Sequence, residues 1–267
     1  MLDIASIPAS LRETRDALAA RIESAALSVA QPRQQSFYDG WLLRYSPGKA
    51  RRARSVNTIG AGVLPLSEKL AHCAEFYQQH GVPLIFRLTP FSQPQGLDGN
   101  LANDGFTAVG DTRVMKLAIS ESAPLAASDA QARALDVEQF AHCFAALHGL
   151  DAAKTAAERE RYTQSAVGGA YVGVFEGGDP IACGTVAIDG ALAGIFGMVT
   201  AESHRGRGVA TAVIAELLRR ARAGGARIAY LQVDVSNTPA RRAYSKFGFE
   251  DCYAYWYRAR SEAEGNP

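Results

Sequence analysis

An excess of charge of either sign is missing from this chain. Its 267 residues carry 28 basic and 27 acidic side chains, a formal net charge of +1. So even a balance gives no bulk field that draws a protein to nucleic acid or to an anionic membrane, and neither is an expected partner. Cysteine is scarce. Cys73, Cys143, Cys183 and Cys252 lie far apart, with no Cys-x-x-Cys pair and no histidine at metal-ligand spacing beside them. The expectation is four small buried side chains in a reducing compartment, with no disulfide framework and no metal. No run approaches the ~20 apolar residues of a membrane span. Arg12, Glu13, Arg15 and Asp16 stand where a secretory leader places its apolar core, so a cytoplasmic protein is expected. Hydrophobic residues make up 48% and charged residues 21%, which suits globular folding throughout. The length exceeds one compact core and fits two domains.

The periodicity predicts a first helix over Ser10–Ser28, with Ser10 and Glu13 as a capping box. Short strands are predicted at 40–44 and 54–59, around a Ser46-Pro47-Gly48-Lys49 turn. A helix over 66–80, a strand over 83–88, a short helix over 96–103 and a strand over 112–119 complete a first unit, residues 1–120. Residues 121–132 are rich in Ala, Ser and Pro without a period and read as a linker. Residues 133–267 form the second unit. It has helices at 137–147 and 151–165, then strands at 170–175, 180–188 and 191–200. A helix over 209–223, a strand over 227–235, a helix over 238–246 and a strand over 252–258 follow. Gly177-Gly178-Asp179 and Asp189-Gly190 supply its hairpin turns.

The two units repeat one order of elements at an offset of about 144 residues. Gly81 overlays Gly225, and Gly105-Phe106 overlays Gly248-Phe249. The copies differ where chemistry belongs: Arg205–Ala210 overlays Ala61–Leu66, and Tyr244 overlays Leu101.

The segment Thr200-Ala-Glu-Ser-His-Arg-Gly-Arg-Gly-Val-Ala-Thr211 joins a strand end, a glycine loop and a helix start. Gly206 and Gly208 remove side chains, so a ligand can approach the main chain. The first N–H groups of the following helix have no internal partner and, with the helix dipole, form an anion site. Arg205 and Arg207 add charge-assisted donors. A pyrophosphate fits this arrangement. A Walker A loop is excluded because Gly-Lys-Ser/Thr is absent, and a dinucleotide fingerprint because its third glycine and acidic ribose ligand are absent.

These residues resemble the GNAT superfamily of N-acetyltransferases. That family's cofactor motif, Arg/Gln-x-x-Gly-x-Gly/Ala, reads here Arg205-x-x-Gly208-x-Ala210. Its next motif reads Asn237, Ala240, Tyr244 and Gly248-Phe249. The match covers about residues 191–258. It implies an α/β (α+β type) tandem fold of two mixed, mostly antiparallel sheets flanked by helices, with a degenerate N-terminal copy. It implies acetyl-CoA as cosubstrate, with its pantetheine between the strand ending at Thr200 and the strand 227–235, against the main chain of Met198, Val199 and Thr200. The N–H groups of Gly206, Arg207, Gly208, Val209 and Ala210 would hold the pyrophosphate beside Arg205. Asn237 and Ala240 would order the cofactor-side loop, and Tyr244 would face the thioester sulfur. A phenol of ordinary pKa ~10 stays protonated at neutral pH and can serve the departing thiolate. A strand N–H near Met198 can serve the oxyanion. No carboxylate base stands out: Glu202, His204, Asp234 and a water relay all remain open.

The segment from Tyr38 to Asn57 resembles the N-terminal lobe of two-lobed bacterial GNAT proteins. Trp41, Arg54 and Asn57 are candidates for lining an acceptor cleft. The arginine-rich turn 49–54 reads as a solvated hairpin. The expected reaction is acetyl transfer to a primary amine of a small metabolite or amino acid, by a monomer or homodimer. Rival readings are a non-catalytic acyl-CoA sensor or interaction module, a peptide or protein amine as acceptor, and a longer acyl group.

Overall fold

A computed structural model describes residues 1–29, 32, 34–45, 51–120, 130–165 and 167–260. The first half runs α1 (Ala9–Arg12), α2 (Ala17–Val29), β1 (Gln34–Tyr38), β2 (Trp41–Tyr45), a 3-10 turn (Arg51–Ala53) and β3 (Val56–Asn57). It continues through α3 (Leu66–Gln79), β4 (Ile85–Leu88), α4 (Leu97–Asn103) and β5 (Thr107–Ala118). The second half runs β6 (Ala132–Leu135), α5 (Val137–His148), α6 (Ala152–Thr163), β7 (Gly169–Glu176), β8 (Asp179–Asp189) and β9 (Leu192–Thr200). It ends with α7 (Val209–Ala223), β10 (Ile228–Asp234), α8 (Thr238–Lys246) and β11 (Glu250–Ala259).

All eleven strands form one continuous sheet, ordered β1-β2-β3-β4-β11-β5-β10-β9-β8-β7-β6. This corrects the expectation of two sheets. The closing strands of the halves are exchanged. β11 lies antiparallel to β4 of the first half, β5 lies antiparallel to β10 of the second, and β5 and β11 pair with each other at the centre. Each half thereby covers the edge that the other would leave open. Burial explains the choice: from Cys252 to Ala259 every residue of β11 is buried, as in a strand covered on both faces rather than one at an edge. The repeat is visible in the pairing, since β3 runs parallel to β4 as β9 does to β10.

Helix α7 forms as its spacing predicts. Val209, Val213, Ile214, Leu217, Leu218 and Ala221 are buried against the sheet, while Glu216 and Arg220 pair on its outer side at 2.7 Å. Helix α5 starts in a capping box, Asp136 with Gln139, and stops at left-handed Gly149. The predicted first helix is instead two. The chain breaks after Arg12, and the Asp16 carboxylate accepts from Leu18 N at 2.9 Å to start α2. β3 is shorter than predicted, β5 is longer, and β1 and β6 were not predicted. The Ser46–Lys49 turn lies outside the described residues, as does 121–129 of the predicted linker; Ala132 opens β6. Among the described residues all four cysteines are free and buried.

Candidate functional site

β9 and β10 pair over only four positions, ending at Ile195 with Leu231. Beyond that point β10 stays with β5, Gln232 to Asp234 facing Val114 to Thr112. β9 stays with β8, Val199 facing Cys183 and Thr200 facing Ala182. The two strands therefore splay. The burial of β9 changes at the same residue: Leu192–Ile195 are buried and Phe196–Thr200 half-buried. Thr185 faces Phe196 while Cys183 faces Val199, so β9 carries one extra residue in a bulge at Gly197–Met198. Gly197 has φ +59°, and a Cβ there would meet Tyr162 Oη at 3.0 Å and Phe140 at 3.1 Å. Bulges leave a residue out of the ladder, so Gly197–Met198 falls outside the regular pairing with β8. The Met198 side chain turns away and packs over Gly184, where a Cβ would lie 2.4 Å from its sulfur.

The glycine loop follows at the end of β9. Arg205, Gly206, Arg207 and Gly208 are exposed, and both glycines are left-handed, at φ +77° and +78°. A Cβ on Gly206 would meet nothing within 4 Å. Gly208 is the N-cap of α7 and supplies no side-chain cap, and the first turn holds no acid. Val209 is buried and Ala210 half-buried behind the loop. Arg205 pairs with Glu202 at 3.1 Å, and His204 pairs with Glu176 at 3.0 Å, tying the loop to the β7–β8 hairpin.

The matching place in the first half is filled. There the Asp39 carboxylate accepts from Val63 N at 2.9 Å and Leu64 N at 3.1 Å, and Lys69 pairs with it at 3.0 Å. A Cβ on Gly62 would strike that carboxylate. The amide of Val63 and then that of Leu64, with Lys69, hold Asp39 below the usual carboxylate range. An anion from the chain itself occupies the first copy's loop, whereas in the second copy a Cβ on Gly206 would meet nothing within 4 Å.

Tyr244 is buried on α8, its ring edge-on to Phe249 at 5.9 Å, in the cluster that includes Val209, Val213, Leu231 and Val233. Burial pushes its phenol up to about 12. Asn237 is the exposed N-cap of α8 and accepts from Ala240 N at 3.2 Å. Pro239 in the first turn needs no donor there.

The three acids and bases left open by the sequence are engaged elsewhere. Glu202 and His204 hold the partners named above, and Asp234 accepts from Ser236 N at 2.8 Å and Ser236 Oγ at 2.6 Å. Of the first-half candidates, Trp41 does not reach the opening. It is wholly buried in a core cluster that includes Phe86 of the first half and Trp256 of β11, donates Nε1 to Gln93 O at 2.9 Å, and its ring centre lies 4.3 Å from Lys69 Nζ. Asn57 is buried at the end of β3 beside Arg87, its Nδ2 donating to Ser55 O at 3.0 Å. Arg54 sits half-buried on the turn after Ala53, and its main chain donates to Arg51 O at 3.1 Å.

That turn is not the expected solvated hairpin. Arg51 and Arg52 are half-buried, with Arg51 6.0 Å from the Tyr257 ring and Arg52 5.8 Å from the Phe196 ring. Arg52 donates to Gln232 Oε1, which also accepts from Tyr255 Oη at 3.0 Å. Phe196 and Gln232 are the first residues beyond the last β9–β10 pair, so Arg52 stands at the mouth of the splay. Arg52, Phe196 and Gln232 do not stand out in the sequence as neighbours, yet the sheet brings them together. The one signal for Gln232 was a polar residue inside the apolar strand Tyr230-Leu231-Gln232-Val233.

Among the described residues no group of three or more His, Cys, Asp or Glu is placed to hold a metal ion, and no helix is long and apolar enough to cross a membrane. A splayed parallel pair, a bulge and a glycine-loop helix in the second half, with a short parallel pair and an Asp39-filled loop in the first, are features of a tandem GNAT fold. Residues 136–249 match the model of the Acetyltransferase (GNAT) family. Over residues 136–249 the chain is similar to GNAT-family acetyltransferases, which supports an acyltransferase enzyme. It is 28% identical over 225 residues to YobR, an uncharacterized N-acetyltransferase of Bacillus subtilis (strain 168), covering 82% of this chain and 90% of that one. A GCN5-related N-acetyltransferase from Kribbella flavida superposes with a TM-score of 0.69 at 20% identity, over 91% of this chain and 96% of its own. A tandem GNAT protein from the clavulanic acid biosynthesis pathway superposes with a TM-score of 0.57 at 16% identity, over 75% and 70%. At these identities the structural likenesses speak for the fold. Enzymes of this fold use acetyl-CoA as cosubstrate.

Proposed function

We propose that this protein transfers acetyl from acetyl-CoA to the primary amine of a small metabolite or amino acid, by direct attack at the β9–β10 splay. One observation carries the reading. In the second copy two exposed, left-handed glycines lead into α7 and a Cβ on Gly206 would meet nothing within 4 Å, while the same loop of the first copy is closed by Asp39. In this reading the amides of residues 206–210 and Arg205 receive the diphosphate, and the main chain of Met198, Val199 and Thr200 receives the pantetheine. Asn237 keeps α8 in place through Ala240. The first half, residues 1–120, shapes the acceptor side, and residues 133–267 hold the catalytic groups.

The neutral amine nitrogen forms a bond to the thioester carbonyl carbon, and the carbonyl oxygen takes negative charge. A main-chain N–H at the Met198 bulge stabilises that charge. The C–S bond then breaks, and Tyr244 supplies the thiolate with a proton or hydrogen bond. The proton lost by the amine leaves through water. No covalent enzyme intermediate is needed.

The test is calorimetric titration with coenzyme A, followed by an amine panel scored by thiol release from acetyl-CoA. Saturable binding and acetylation of at least one primary amine are expected. Binding without any acetylated amine would make the protein a sensor, and no binding would remove the site. Gly208→Val, which puts a β-branched residue at φ +78°, is expected to weaken coenzyme A binding about tenfold or more.

A further inference from the structure

We infer that the acceptor amine carries a carboxylate, gripped by Arg52, with the Gln232 amide beside it, at the mouth of the splay. The inference rests on acetyl transfer at the same opening and adds the class of acceptor. Three observations carry it.

First, Arg52 bridges the two strands where they part, bonded to Gln232 on β10 and lying over the Phe196 ring on β9. That hydrogen bond is its only one among the described residues, and a guanidinium has five N–H donors. The fork that remains suits a planar carboxylate.

Second, Gln232 Nε2 is buried and has no hydrogen-bond partner among the described residues. Its orientation is fixed, because Oε1 already accepts from Arg52 and Tyr255. A buried donor left unmet is costly, and a ligand oxygen at this place satisfies it.

Third, among the described residues at the junction of the halves, Arg52 and Arg87 both act on the one acid Glu23, and Arg44 feels all three. Glu23 is taken up by Arg87, at 3.0 Å to Arg87 Nη2, and by Tyr253 Oη at 2.7 Å. Arg51 adds a further cation over Tyr257. Burial first, then the nearby Arg87 charge, pull Arg44 down to about 10. A positive interior of this kind repels a cationic polyamine and draws an anion. Phe196 and Tyr255 flank the pair with aromatic rings.

The test uses reaction products, so it does not depend on turnover. N-acetylglycine and N-acetyl-6-aminohexanoate are titrated, each beside its primary amide, into the wild-type coenzyme A complex. At least one acid is expected to bind about tenfold or more tighter than its amide. Arg52→Gln is expected to erase that difference while leaving coenzyme A affinity unchanged, and Arg52→Lys to retain part of it. If Arg52→Gln does not fold, Gln232→Leu takes its place with the same expected loss of acid binding. Equal binding of acid and amide, no binding of either, or a preference that survives Arg52→Gln overturns the inference. Failure of wild type to bind coenzyme A instead overturns acetyl transfer itself.

Discussion

Tyr244 has one requirement in this account: it must hold a proton when the thiolate departs. Burial raises its phenol to about 12. It therefore adds no basic limb to the kcat–pH profile through the neutral and mildly alkaline range. Tyr244→Phe is expected to lower kcat about a hundredfold and to leave coenzyme A affinity nearly unchanged; kcat by thiol release and affinity by calorimetry check it. Equal losses in both would mean that Tyr244 only packs. Glu23 is a structural counterpart on the other side of the sheet. Burial pushes its carboxyl up, but the charge and hydrogen bonds of Arg87 outweigh that and hold it below its ordinary 4.5. A lowered folded-state value adds stability at pH above the unfolded value and loses it as pH falls through the folded one. The denaturant midpoint of the wild type is expected to drop as pH falls below about 4.5, and that of Glu23→Gln to drop less. At neutral pH Glu23→Leu strands Arg87 and is expected to cost about 3–5 kcal/mol by denaturant unfolding.

At the scale of elements, the proposed chemistry depends on the bulge in β9 and the start of α7. Gly197→Ala forces φ +59° on a residue with a Cβ and presses it against Tyr162 and Phe140. A cost of about 1–2 kcal/mol with a fall in kcat larger than the change in coenzyme A affinity is expected, measured by unfolding and by thiol release. Here much was legible in advance. α8 runs from Thr238 to Lys246 as read, because Asn237 caps it and Pro239 suits its first turn. The uncapped start of α7 was legible because two glycines before an amphipathic run leave few alternatives. Edge strands were not. β1 reads Gln-Gln-Ser-Phe-Tyr and is largely exposed, so it has no alternation to read. Nor was Arg52 legible as a site residue. Its partners Phe196 and Gln232 are far off in the chain, and only the sheet brings them together.

For the molecule as a whole, the exchange of β5 and β11 is the governing feature, and no local pattern announces it. The offset of about 144 residues reveals two copies, but partner choice depends on which edge each closing strand meets. Arg87 of the first copy and Leu231 of the second end their parallel pairs in corresponding places. One copy has a buried ion pair at that place and Asp39 in its loop; the other has buried Leu231 there and exposed glycines in its loop. The halves are expected to fold only together. Residues 130–267 expressed alone leave β11 without β4 and β5, and circular dichroism is expected to show a cooperative melt only when residues 1–120 are co-expressed. A cooperative melt of residues 130–267 alone would contradict the exchange.

The most direct measurement is a crystal structure with coenzyme A. The account expects the diphosphate on the main-chain amides of residues 206–210 and the pantetheine between β9 and β10 beyond Ile195. Diphosphate bound elsewhere, such as against the basic face of α8 formed by Arg241, Arg242 and Lys246, with the 206–210 amides left to solvent, would contradict it.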